Sequence, residues 1–178
     1  MSDDLRETIT RTFDDEVGAF PTPAGLRARA IRHAVEGGHG RQRPRSDRGL
    51  SPGAGQRYAA LVLTNRSGHP CQTFGYVGMQ LLDSAGRPAP TRVTRARPPA
   101  PTVLTLAPDG SAFTVLHWTV VPGAGEPATG DCEPDPAAAQ VTPPDETTQQ
   151  VVAWTLGPVC QLGAVDTVAL AGGAGPPG

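Results

Sequence analysis

LVLTNRSGHPC, residues Leu61 to Cys71, joins an apolar strand to a turn and then to a cysteine within eleven residues. Leucine, valine and threonine favour a pleated, buried strand. Asn65 to Pro70 holds asparagine, serine, glycine and proline, the residues that reverse a chain, and Gly68 and Pro70 are expected to supply the turn geometry. An apolar strand that runs straight into such a turn points to a strand-rich domain. The stretch that follows repeats the pattern.

Downstream of Arg57, short β-rich runs alternate with turn signals. Strands are expected at Tyr58–Leu63, Phe74–Tyr76, Met79–Leu82, Thr91–Thr94, Thr102–Leu106, Ser111–Val121, Ala138–Thr142, Val151–Leu156 and Ala164–Leu170. Asp83–Gly86 and Ala107–Gly110 are the clearest turns between them, and Pro143-Pro144 stops a strand. Thr91–Thr94 is short and polar, as an edge strand is. No helix-length stretch separates the runs. Parallel pairs need long crossovers, so the expected fold is a mainly β, immunoglobulin-like antiparallel sandwich of about seven to nine strands. Phe113, Val115 and Trp118 are the expected apolar positions of the longest strand, and Trp118, Trp154, Tyr76 and Phe113 are assigned to the core.

Upstream the pattern changes. Residues 1–36 read as two short helices. Leu5, Ile9, Phe13 and Val17 stripe the first; Leu26, Ala30, Ala34 and Ile31 stripe the second, which carries Arg27, Arg29 and Arg32. Residues 37–56 are glycine, proline, serine and arginine with almost nothing apolar, a flexible linker. The sandwich is expected over 57–171, followed by a disordered tail, 172–178.

The chain has 178 residues, a formal charge of −2, and 22 glycines and 20 prolines, about a quarter of the whole. The near-neutral balance argues against nucleic acid as a partner of the whole chain. No apolar run reaches the roughly 18 to 20 residues that cross a bilayer. The acidic start, MSDDLRET, lacks the apolar segment of a secretory signal. Taken alone, these features lead to the expectation of a soluble chain with neither export signal nor membrane span.

The three cysteines, Cys71, Cys132 and Cys160, form no C-x-x-C pair. His69 lies near Cys71, but two ligands fall short of a zinc site. Asp131, Glu133 and Asp135 alternate around Cys132 without the glycine and closing glutamate of a calcium loop; they read as a solvated acidic loop. His117 reads as an ordinary strand residue, and His33 and His39 as solvated. Arg41, Arg43, Arg45 and Arg48 read as a solvating linker before they read as contacts to nucleic acid or anionic lipid. No nucleophile elbow and no phosphate-binding glycine loop is present. No catalytic residue and no cofactor or metal is expected, and the chain is not expected to be an enzyme.

The ordered set LVLTN, RSGHPC, GYVGMQLLDSAGRP, TLAPDGSAFTVLHW, a cysteine, VTPPD and VCQLG resembles the domain of unknown function 4232 family, immunoglobulin-like extracytoplasmic domains of actinobacteria, over roughly residues 53–171. The resemblance implies an envelope setting, membrane anchoring in relatives, disulfide-bonded cysteines and no attached enzymatic activity. The family pattern places a first strand and a further cysteine ahead of Gly53-Ala54-Gly55; here that place holds RQRPRSDRGLSP, with neither. A basic helix such as Leu26–Val35 would normally lead into a membrane helix. On the resemblance, Cys132–Cys160 is the favoured disulfide, Cys71–Cys160 the second choice, and three reduced thiols the remaining alternative. The implied function is a non-catalytic binding or interaction module for an unknown protein or envelope component, with loops 122–136 and 144–150 as the recognition surface. The alternatives are a regulatory or sensory protein with a helical cytoplasmic segment, and an unrecognised hydrolase.

Overall fold

The computed structural model describes residues 26–33 (as backbone), 55–127 and 132–176. The strands are Leu26–His33 (β1), Gln56–Asn65 (β2), Cys71–Thr73 (β3), Gly78–Leu82 (β4), Arg92–Arg95 (β5), Leu104–Leu106 (β6), Ser111–Thr119 (β7), Ala138–Thr142 (β8), Gln150–Ala153 (β9), Ala164–Thr167 (β10) and Ala171–Gly172 (β11). The fold is mainly β, a sandwich.

One layer has the order β1-β2-β7-β10-β5, with β11 also paired to β7. The second is β4-β8-β9, and β3 and β6 form a two-stranded ribbon. The core fills the space between the layers. From the first layer come Leu61, Leu63, Leu116, Trp118 and Val165; from the second, Leu81, Ala139 and Val141; Val77, Leu106, Trp154 and Val159 close the ends. Burying each of these leucines contributes about 1.5–3 kcal/mol. From Ala59 to Asn65 every residue of β2 is buried. A central strand covered on both faces reads as an unbroken apolar run, which is why AALVL shows no alternation.

The segment expected as the second helix is β1. It pairs antiparallel with β2 from Leu26↔Asn65 to His33↔Ala59, with a register shift between Ala28 and Ala30. Leu26, Ala28 and Ala30 alternate with Arg27 and Arg29, a period-two signal inside the apparent helical stripe. β2 also decides the outcome: without a neighbour on that side its backbone donors and acceptors would face no partner strand, and tertiary pairing outweighs weak helix propensity. The first helix and the linker at 37–54 lie outside the described residues, as do Arg41, Arg43, Arg45, Arg48 and His39.

Three further expectations are corrected. Not every pair is antiparallel: β5 and β10 run parallel, Arg92↔Ala164 to Arg95↔Thr167. The crossover a parallel pair needs is supplied by four intervening strands rather than a helix. On β7 Trp118 joins Ala112 and Leu116 in the core cluster and Phe113 is buried as expected, whereas Val115 is only half-buried. The sandwich also runs past residue 171: β11 pairs with β7 at Ala171↔Phe113 and Gly172↔Ala112, and the Gly173 N–H donates to the Ser111 carbonyl at 2.8 Å. Among the described residues no helix is long and apolar enough to cross a membrane.

The Leu61–Cys71 turn is organised by Asn65 rather than by Gly68, which has open space around it and no left-handed backbone. Asn65 is fully buried. Its Nδ2 donates to the carbonyls of His69 at 2.8 Å, Leu106 at 3.0 Å and Ala107 at 3.2 Å. Its Oδ1 accepts from the Ser67 N–H at 2.9 Å and the Ser67 hydroxyl at 2.7 Å. One amide thereby ties the 65–70 turn to the 107–110 turn, whose Asp109 also receives Arg66 at 2.5 Å. Cys71 opens β3 instead of ending a strand.

Candidate functional site

The first layer is five strands wide and the second three. At the β5 side the inner face of the wide layer is therefore not fully covered by strands. The segment 74–77 crosses there, and a cleft of about 650 Å³ remains, lined by Phe74, Tyr76, Arg95, Arg97, Pro101 and Asp145 together with Gly78 and Thr142. That is the size of ordinary ligand sites, about 300–1,000 Å³.

Each lining group has a local cause. Arg95 lies opposite the buried Thr167 across the β5–β10 pair and so points to the inner face. Its guanidinium sits over the Tyr76 ring, 5.6 Å from the centroid, a favourable cation–π geometry. The Tyr76 hydroxyl donates to the Ala96 carbonyl at 3.4 Å. Arg97, two residues farther on, is exposed. Among the described residues neither arginine has a carboxylate partner within ion-pair distance. Phe74 is 47% exposed, unusual for a phenylalanine at the end of a core strand. Buried Pro143 and Pro144 form a stiff wall, and the exposed Asp145 holds a left-handed φ of 60° beside them. Tyr76, assigned to the core from the sequence, lines this cleft half-buried. Of the two expected recognition loops, 144–150 reaches the cleft through Pro144 and Asp145; the described residues of 122–136 do not line it.

The 122–136 loop serves a structural end. Cys132 and Cys160 are joined by a disulfide with Cα atoms 5.4 Å apart. Cys160 begins a single turn, Cys160–Gly163, in which Gln161 and Leu162 take φ of 59° and 58°. Successive left-handed residues aim their N–H groups into one concavity, a natural anion seat. Glu126 fills it: its carboxylate accepts from the Gly123 N–H at 2.5 Å and the Leu162 N–H at 2.7 Å. The Gly123 bond above all, then those of Leu162 and Gln161, holds the Glu126 carboxyl below its usual value. A carboxylate with a lowered folded-state pKa adds stability above its ordinary titration range, and that stability is lost as pH falls through the folded value. Acidification below about pH 4.5 is therefore expected to loosen residues 123–126 and 160–163 before the core. Hydrogen exchange at pH 6 and pH 3 checks this; Glu126→Gln should exchange faster at pH 6 and lose most of the difference between the two.

Glu126, Cys132 and Cys160 bring their ligand atoms within 4.8 Å of one another, but the two sulfurs are spent in the disulfide. Cys71 is a free, buried thiol. Burial pushes it above its ordinary pKa, which keeps it protonated and a poor nucleophile. No third ligand joins His69 and Cys71 among the described residues. Asp131 lies outside them, so the acidic alternation around Cys132 has no described geometry.

His117 is part of a cross-strand row on the outer face, Tyr58–His117–Asp166. Its ring stacks on Tyr58 at 4.6 Å; Nδ1 meets Asp166 Oδ2 at 3.1 Å and Nε2 meets Gln56 Oε1 at 2.6 Å. Both ring nitrogens are occupied, and the row staples β2, β7 and β10. Sequence reasoning missed this row because the partners stand 49 and 61 residues away.

A disulfide-tied β-sandwich with one open, mixed-polarity cleft at its β5 side defines the class. The chain belongs to the family described as Domain of unknown function (DUF4232), whose model matches residues 42–171. No curated protein and no solved structure matches the chain.

Proposed function

We propose that the domain is a non-catalytic binding module of cell-envelope type and that its ligand seats in the Phe74–Arg95–Arg97 cleft. The observation that carries this reading is the exposed Phe74 beside two guanidiniums that have no ion-pair partner among the described residues, all mounted on a frame stiffened by buried prolines. Surface aromatics and arginines are the side chains that dominate recognition energetics. Loops on a rigid sandwich are the usual place for such a surface. The envelope setting comes from the family resemblance, and the disulfide suits an oxidising compartment.

Co-sedimentation of the full chain with isolated bacterial envelope fractions tests the reading. The native chain is expected to pellet with the fraction, and Phe74→Ser/Arg97→Glu to stay in the supernatant with an unchanged thermal melt. Equal pelleting of both would remove the cleft from the account. Val151→Ser, at an exposed strand position of β9, serves as the control that should not matter.

A further inference from the structure

The chemistry of the cleft narrows its ligand. Arg95 closes β5 and Arg97 follows two residues later, and both line the cleft. An extended peptide repeats its side chains on one face every two residues. Two carboxylates at positions i and i+2 of such a peptide can therefore be presented together to the two guanidiniums. The arginine fork suits carboxylate oxygens in particular. Beside the arginines, the exposed Phe74 and Ala100 offer apolar surface that a carboxylate alone would not use. β5 pairs with β10 on one side only, which leaves main-chain groups on its other edge for an added extended segment. Asp145, on the loop side of the cleft, is placed to accept peptide N–H groups, while its charge works against a purely anionic polymer.

We propose that the cleft binds an extended acidic peptide that carries an apolar side chain beside alternating carboxylates. The inference rests on the cleft being the binding site, and it commits to peptide over acidic polysaccharide because of the exposed phenylalanine beside the guanidiniums and the β5 edge left open among the described residues. Edge strands also use inward charges simply to block unwanted pairing. The test separates that role from recognition.

Fluorescence anisotropy of the full chain with a dye-labelled peptide centred on Asp-Phe-Asp tests the proposal. Saturable binding is expected, weakened about tenfold or more, the size of one lost charge-assisted hydrogen bond, by Arg95→Gln or Arg97→Gln. The Asn-Phe-Asn peptide should bind as weakly to the native chain, the Asp-Ala-Asp peptide should lose affinity, and 0.5 M salt, which shortens the screening length to roughly half its physiological value, should weaken the complex. Asp145→Asn should tighten the Asp-Phe-Asp complex. Equal affinity for the Asp and Asn peptides overturns the proposal on the unaltered protein, whatever the variants do. Arginine variants that bind normally but self-associate would assign the guanidiniums to edge protection and also overturn it. Direct binding of dye-labelled polygalacturonate in the absence of any peptide binding would overturn the peptide class while leaving the binding-module reading in place, because envelope co-sedimentation would persist.

Discussion

Asn65→Ala is expected to destabilise the domain by about 3–4 kcal/mol, since it leaves buried carbonyls unpaired at about 1–3 kcal/mol each. The residue is fully buried and its side chain makes five hydrogen-bond contacts, three donated and two accepted. Asn65→Asp isolates the donor half of the effect. It keeps the shape and the acceptor for Ser67, but turns donors toward Leu106 and Ala107 into oxygen facing oxygen. Urea denaturation is the measurement: both variants should move the midpoint down with the slope unchanged, as expected when stability changes and the surface exposed on unfolding does not. A loss below about 1 kcal/mol in both would mean that water replaces the amide and that the corner is held by the backbone bonds Asn65 N–H to Gly110 O and Asp109 N–H to Asn65 O alone.

Opening the Cys132–Cys160 bond is the second large effect. The two cysteines are 28 residues apart, and closing a loop of that length restricts the unfolded chain by about 3–4 kcal/mol. Cys160→Ser should cost that much, and a thiol reductant should lower the melting temperature of the native chain by a matching amount while leaving Cys132→Ser unmoved. Cys71→Ser should not reproduce the loss, because Cys71 carries no bridge. A native chain whose melt ignores reductant would show that the 122–136 loop is held by the Glu126 seat rather than by the disulfide. Hydrogen exchange would then show protection of 160–163 surviving reduction.

Much of the sandwich was legible because the signals were local. Ala138–Thr142 was found to the residue; Gln56–Asn65, Gly78–Leu82 and Arg92–Arg95 were found within a few positions, each bounded by residues with strong turn preferences. β1 was misassigned because Leu26 and Ala30 fit a helical stripe and a strand face equally. Only the open edge of β2, a feature contributed by another part of the chain, breaks that tie. The cleft was less legible than the fold. Pro143, Pro144 and Asp145 were visible as a loop, but Tyr76 looked like a core aromatic. Phe74, Tyr76, Arg95 and Arg97 come from two segments some twenty residues apart, and nothing local says that they share one opening.

By itself the sequence determined the fold class, most strand positions and the turn residues, because these depend on side-chain patterning within a few residues. It also pointed, through family resemblance, to Cys132 and Cys160. Tertiary packing settled that Leu26–His33 is a strand, that β5 runs parallel to β10, that Glu126 rests in the left-handed turn after Cys160, and that two arginines and an exposed phenylalanine open onto one cleft. Those outcomes depend on which strand edges and N–H groups are left without partners once the two layers pack. LVLTNRSGHPC shows both halves: its residue types announced a strand and a turn, and the packed fold assigned the turn's geometry to the buried amide of Asn65.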